Sequence, residues 1–188
     1  MRIAKAVWRL AAHRGLEAVS LRQVADEAEV SMRLVQYYFH TKQRLLQESL
    51  GYLDAWISER ARLRHSGTGE ATGRALLRLV LAEFLPVDED RRLNLLVRLA
   101  YFTRALSDPE VAEVFLGNPP ELQDYFVDQL RALQERGDLD AGLDPEMEME
   151  TLFSVATALG IDMLLDLRDE AATMAILDYN LDRLFGPR

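Results

Sequence analysis

The chain has 188 residues, 49% of them hydrophobic and 28% charged, with a net charge of −9. That length suits one large domain or a small one joined to a larger one, with enough apolar content for a buried core. It contains no cysteine, which excludes disulfides, zinc–thiolate sites and thiol nucleophiles.

The first helix is expected over about Arg2 to His13, with Ile3, Ala6, Val7, Leu10 and Ala11 on one face and Gly15 at its C-cap. Ser20 to Lys42 then reads as two short helices joined by a tight turn. Leu21, Val24, Ala25 and Ala28 keep helical spacing. After a break at Glu29, a second set does the same: Val30, Leu34 or Val35, and Phe39. Ser20 and Ser31 open the two helices as N-caps, and Ser20 with Gln23 fits a capping box. This pattern is that of a helix-turn-helix, whose second helix can enter the DNA major groove.

Thr41 caps a long fourth helix reaching about His65, with Leu46, Leu50, Leu53 and Ile57 along its seam. Ser66 to Gly69 reads as a loop. A helix from about Glu70 to Leu85 ends at Pro86, and another starts at Asp88 or Asp90 and runs through Leu106. Asp108-Pro109-Glu110 restarts a short helix, which Gly117 to Pro120 breaks, and Glu121 to Arg136 resumes. Two helices close the chain, about Pro145 to Leu167 and about Glu170 to Phe185. The first of these is apolar nearly all round and the second carries an apolar stripe, so both need extensive cover. Nothing reads as a strand, so the fold class is all-α.

Charge is distributed unevenly. Residues 1–46 hold eight Lys and Arg against four acids, a net +4 that leaves −13 for the remainder. A basic head on an acidic body suits a protein that meets phosphate at one end. No charge-free run is long enough to span a bilayer and no signal peptide is visible, so a cytoplasmic protein with no membrane partner is expected. Three scattered histidines suggest no metal site. The absence of a nucleophile-elbow serine or an H-E-x-x-H run speaks against a small all-α enzyme. A helical adaptor using the head for protein contacts is the other alternative, and a steep salt dependence of DNA affinity would separate the two.

The residues quoted from the head resemble the TetR (tetracycline-repressor-type) family of regulators, chiefly over 3–46. The resemblance is carried by Arg14-Gly15, Ser20 to Ala25, Val30-Ser31, Tyr38-Phe39, Lys42 and Leu45-Leu46. It implies a homodimer of subunits with a DNA-binding domain over 1–46 and an effector-binding and dimerisation domain over 47–188. It also implies a repressor that binds a pseudo-palindromic operator in double-stranded DNA and is released by a small-molecule effector. The chain departs from the family pattern at the turn and in the recognition helix, where Gln36 also stands at a position at which tyrosine is common. Glu29 stands where glycine is usual at the turn, at a cost of about 1 kcal/mol if a left-handed backbone is required. Met32, Arg33 and Leu34 replace the usual small or polar opening of the recognition helix.

The residues expected at DNA are Ser20, Arg22, Ser31, Met32, Arg33, Gln36, Tyr37, Tyr38 and Lys42. Arg33 and Gln36 share a face and have the chemistry to read guanine and adenine. Met32 could touch a thymine methyl, while the family resemblance gives Tyr38 and Lys42 to phosphate. Trp56, Phe84, Arg98, Tyr101, Phe102 and Phe126 are the candidates for an effector pocket, with Arg98 for an anionic group. Leu152, Leu159, Gly160, Met163, Leu177, Leu181 and Leu184 are the candidates for a dimer seam. No catalytic residue, cofactor or metal is expected.

Overall fold

The computed structural model describes residues 1–65, 73–116 and 121–186. Among them every regular element is helical. They are α1 (Arg2–Arg14), a single 3-10 turn (Leu16–Ala18), α2 (Leu21–Glu27), α3 (Met32–Phe39), α4 (Lys42–His65) and α5 (Arg74–Ala82). Next come α6 (Glu89–Ala105), α7 (Pro109–Leu116), α8 (Glu121–Glu135), α9 (Pro145–Leu164) and α10 (Glu170–Phe185). The loops expected at Ser66–Gly69 and at Gly117–Pro120, and the start expected at Glu70, lie outside the described residues.

Helix starts follow the cap chemistry closely. The side chain of Ser20 accepts the Gln23 N–H and that of Ser31 the Leu34 N–H, both at 3.2 Å. Thr41 accepts from Arg44, Asp108 from Glu110, Asp144 from Glu146 and Asp169 from Ala172. At α2 the capping box takes a variant form: the Ser20 hydroxyl donates to Gln23 Oε1 at 2.7 Å.

Helix ends are less regular. α2 closes in a Schellman motif, with the Val30 N–H on the Ala25 carbonyl at 3.0 Å and the Glu29 N–H on the Asp26 carbonyl at 3.1 Å. Glu29 therefore stands in the left-handed region, at φ 51°. The same motif ends α8 with a glycine in that place, Gly137 at φ 77°. α9 stops at Leu164, earlier than Leu167, because Asp166 turns left-handed at φ 56° and the Leu167 N–H folds back to the Asp162 carbonyl.

The chain forms two compact units, residues 1–60 with 92–119 and residues 61–91 with 120–188. The first is packed around Val7, Trp8, Leu10, Val24, Val35, Leu45, Leu53, Val97 and Tyr101, contributed by α1, α2, α3, α4 and α6. Two buried hydrogen bonds tie its helices together. Trp8 Nε1 donates to the Ser49 carbonyl at 2.9 Å, and the Tyr101 hydroxyl to the Leu46 carbonyl at 2.8 Å. Burial, with the Asp54 carboxylate nearby, keeps that hydroxyl protonated well above the usual tyrosine range.

The second unit packs α5, α8, α9 and α10 around Leu81, Phe126, Leu130, Met149, Ala156, Leu177 and Leu181. Across α5 and α10, Asp178 receives Arg78 Nε at 2.7 Å and Arg74 at 3.0 Å, while Arg74 also reaches Asp182 at 2.8 Å. Leu152, Leu177, Leu181 and Leu184, expected at a dimer seam, belong to this internal core. Leu159 and Gly160 are buried as well, and Met163 is half-buried. Leu152, Leu177, Leu181 and Leu184 thus turn inward, against their reading as an outward seam, while Leu159, Gly160 and Met163 belong to neither apolar cluster.

Candidate nucleic-acid interface

α3 is held against the head by Val35 and Phe39, both buried, with Val30 packed beside them. Of the two readings open at this turn, Val35 is the core residue and Leu34 is exposed. Ser31, Met32, Arg33, Gln36, Tyr37 and Tyr38 are all exposed as well. One short helix therefore offers a continuous solvent-facing surface of a guanidinium, an amide, two phenols and two apolar side chains. Tyr37 and Tyr38 pack edge to face at 5.3 Å between ring centres, so each restrains the other.

The remaining expected DNA residues surround that surface. Arg22 is exposed in the first turn of α2. Ser20 is half-buried, its hydroxyl occupied by the Gln23 cap. Lys42, at the start of α4, donates from Nζ to the Leu16 carbonyl at 3.1 Å. It thereby adds a second donor to a carbonyl that also accepts the Val19 N–H at 3.1 Å, and keeps two further N–H donors for another acceptor.

Not all of the basic head is free to meet phosphate. Arg2 is paired with Glu29 at 3.3 Å, Arg9 with Glu27 at 2.8 Å and Arg44 with Glu48 at 2.7 Å. Lys5 lies 5.8 Å from the centre of the Trp56 ring. Arg14, Arg22 and Arg33 have no carboxylate partner among the described residues. The uncommitted positive charge is thus smaller than the sequence count suggests, and two of its three arginines sit on the helix-turn-helix itself.

Of the six effector candidates, four lie in the first unit and two in the second. In the first unit, Trp56 packs on Trp8 at 5.4 Å and carries Arg60 over its ring, and Phe102 meets Phe115 at 6.4 Å. Tyr101 is core, with its hydroxyl spent on Leu46. Arg98 is paired with Asp54 and hydrogen-bonded to Asn94 at 3.1 Å, so an anionic ligand would compete with a carboxylate already in place. In the second unit, Phe84 packs edge to face on Phe153 at 5.0 Å, and Phe126 is core. Two open clefts of about 420 and 390 Å³, one in each unit, are lined by none of these six.

A capped helix-turn-helix, presenting an exposed recognition helix from a basic head, defines a DNA-binding protein. Residues 3–49 match the model for bacterial regulatory proteins of the tetR family, and residues 73–186 match that for the C-terminal part of BetI-type transcriptional repressors. The chain belongs to the TetR family of transcriptional regulators, with a C-terminal part of the BetI type, and is not an enzyme. The HTH-type transcriptional regulator PksA of Bacillus subtilis (strain 168) is 23% identical over 164 residues, 87% of this chain and 78% of that one. The crystal structure of a TetR-family transcriptional regulator from Rhodococcus sp. has a TM-score of 0.84 at 23% identity, covering 98% of this chain and 96% of that chain. A transcriptional regulator from Saccharomonospora viridis in complex with choline has a TM-score of 0.76 at 21% identity, covering 97% and 92%. Among the described residues, no helix is long and apolar enough to cross a membrane.

Proposed function

We propose that this regulator is a homodimeric repressor that binds a pseudo-palindromic operator and is released by a small-molecule effector. Residues 1–46 bind DNA in this reading, and residues 47–188 hold the effector site and the dimer interface. The observation that carries it is the exposed face of α3, where Arg33, Gln36 and Tyr37 project from a helix held by Val35 and Phe39. In the groove, Arg33 pairs with guanine and Gln36 with adenine, each worth about 1–3 kcal/mol of discrimination. Arg22, Tyr38 and Lys42 take phosphates, and the N-termini of α2 and α3, capped by Ser20 and Ser31, add backbone N–H groups.

For the dimer we assign the faces of the last two helices that their own chain leaves uncovered. Thr151, Ser154, Ala158 and Leu165 follow one another along α9 and just past its end, and Ala172, Ala175 and Tyr179 along α10, all exposed. The spacing is helical, and the small side chains permit close approach of a second copy in a four-helix packing. An effector, as choline is in the Saccharomonospora viridis structure, would act through a coupling of typically 1–3 kcal/mol between its site and the DNA.

The test is a titration of the purified protein against the DNA upstream of its own gene, with parallel selection from a random pool. Binding that falls steeply with salt supports the reading. Affinity that ignores salt, with no palindrome recovered from the pool, would point instead to a helical adaptor.

A further inference from the structure

At about 100° per residue, the faces of α3 can be mapped from its buried side. Val35 and Phe39 mark that side. Tyr37 stands opposite and is the most exposed of the large apolar or aromatic side chains on the helix, at 71%. Arg33 falls about 40° to one side of Tyr37 and Leu34 about 60° to the other. Gln36 and Tyr38 are each about 100° away, and Met32 about 140°, turned back toward the head. The outward centre of the helix is therefore Arg33, Tyr37 and Leu34. Two of these lie in the N-terminal half, the part of a recognition helix that contacts base edges.

Leu34 is 40% exposed, although its neighbour Val35 is wholly buried. It belongs to neither apolar cluster. Its backbone N–H is held by the Ser31 cap, which fixes where the side chain starts. A leucine gives nothing to a phosphate or to a polar base edge. The one apolar group that the major groove presents is the 5-methyl of thymine.

We infer that Leu34 reads a thymine 5-methyl group in each operator half-site, making Leu34, and not Met32, the apolar determinant of specificity. This rests on the DNA-binding reading above and adds to it a base that the half-site must contain. Arg33 and Leu34 lie on opposite flanks of Tyr37, so the guanine read by one and the thymine read by the other fall within the same short stretch of groove. Removing the methyl from that thymine costs the contact and leaves every hydrogen bond of the base pair intact.

Operators are first selected from a random pool with the full-length protein. Each thymine of one half-site is then replaced in turn by deoxyuridine. Wild type should lose about 3- to 5-fold in affinity at one such position, the worth of one buried methyl group. Leu34→Ala should show no loss there, whereas Met32→Ala should keep the wild-type response. If wild type tolerates deoxyuridine everywhere, or if Leu34→Ala retains the penalty, the inference is overturned. Should Leu34→Ala lose helix content, Leu34→Gln, of similar size with a polar end, is read in the same way. Failure to recover any bound DNA would instead overturn the DNA-binding reading itself.

Discussion

Arg2 donates to the backbone carbonyl of Glu29 at 3.1 Å and to its carboxylate at 3.3 Å, so the first helix clasps the turn of the helix-turn-helix. Glu29 pays for that position with a left-handed backbone at φ 51°, where a Cβ costs roughly 1–2 kcal/mol. The ion pair returns little, since both partners are exposed. Glu29→Gly is therefore expected to raise stability by about 0.5 kcal/mol and Glu29→Ala to lower it slightly, leaving a gap of about 1 kcal/mol in urea denaturation. Equal stabilities for the two variants would show that the turn is not strained.

Arg33 and Lys42 should part ways at DNA. Arg33→Ala is expected to relax the preference at one base pair, costing about 1–3 kcal/mol on the selected operator and little on random sequence. Lys42→Ala should weaken every sequence alike and reduce the salt slope by about 1 per subunit. Its effect on stability should stay below about 1 kcal/mol, because the Leu16 carbonyl keeps the Val19 N–H at 3.1 Å when the Lys42 donor is removed. Anisotropy titrations at several salt concentrations, paired with thermal melts, separate the two effects.

Much of this was legible in the residues before the structure. Cap chemistry is local, so Ser20, Ser31, Thr41 and Asp108 opened their helices as expected, and Asp144 and Asp169 cap the last two in the same way. The left-handed turn at Glu29 was equally readable from its place in the motif. What failed to show was direction. An apolar stripe states that a face is covered but not by what, and Leu152, Leu177, Leu181 and Leu184 are covered by their own chain. Leu34 and Val35 were ambiguous for a related reason. Both keep helical spacing with a neighbouring valine or phenylalanine, and only packing decides that Val35 turns in. The partners of Tyr101 and Arg98 lie 55 and 44 residues away, beyond the reach of any local pattern.

The α5–α10 cluster makes stability depend on pH. The Arg78 hydrogen bonds hold Asp178 below the usual carboxylate range against the opposing effect of burial, with Arg74 adding to the shift. A carboxylate lowered in the folded state stabilises fully above its unfolded value of about 4 and loses that contribution as pH falls through the folded value. Asp178→Asn should thus cost about 1–2 kcal/mol at pH 7, between the worth of exposed and buried pairs. The difference from wild type should narrow steadily below pH 4. A gap that is constant from pH 7 to pH 3 would assign the loss to packing.

Ala175→Glu tests the assigned dimer face. Ala175 is exposed in its own chain, so the variant should fold with an unchanged melting curve at low concentration. Light scattering should nonetheless move its mass from twice the 21.4 kDa of one chain toward that value. A dimer that persists in the Ala175→Glu variant would move the interface elsewhere.

The most direct measurement is the affinity of wild type and of Arg33→Ala for a pool-selected operator, at low and at physiological salt. The account predicts a pseudo-palindromic site, tight binding that weakens steeply with salt, and a variant that folds normally yet no longer prefers that site. A protein that recovers no common sequence and binds none at low salt would contradict it.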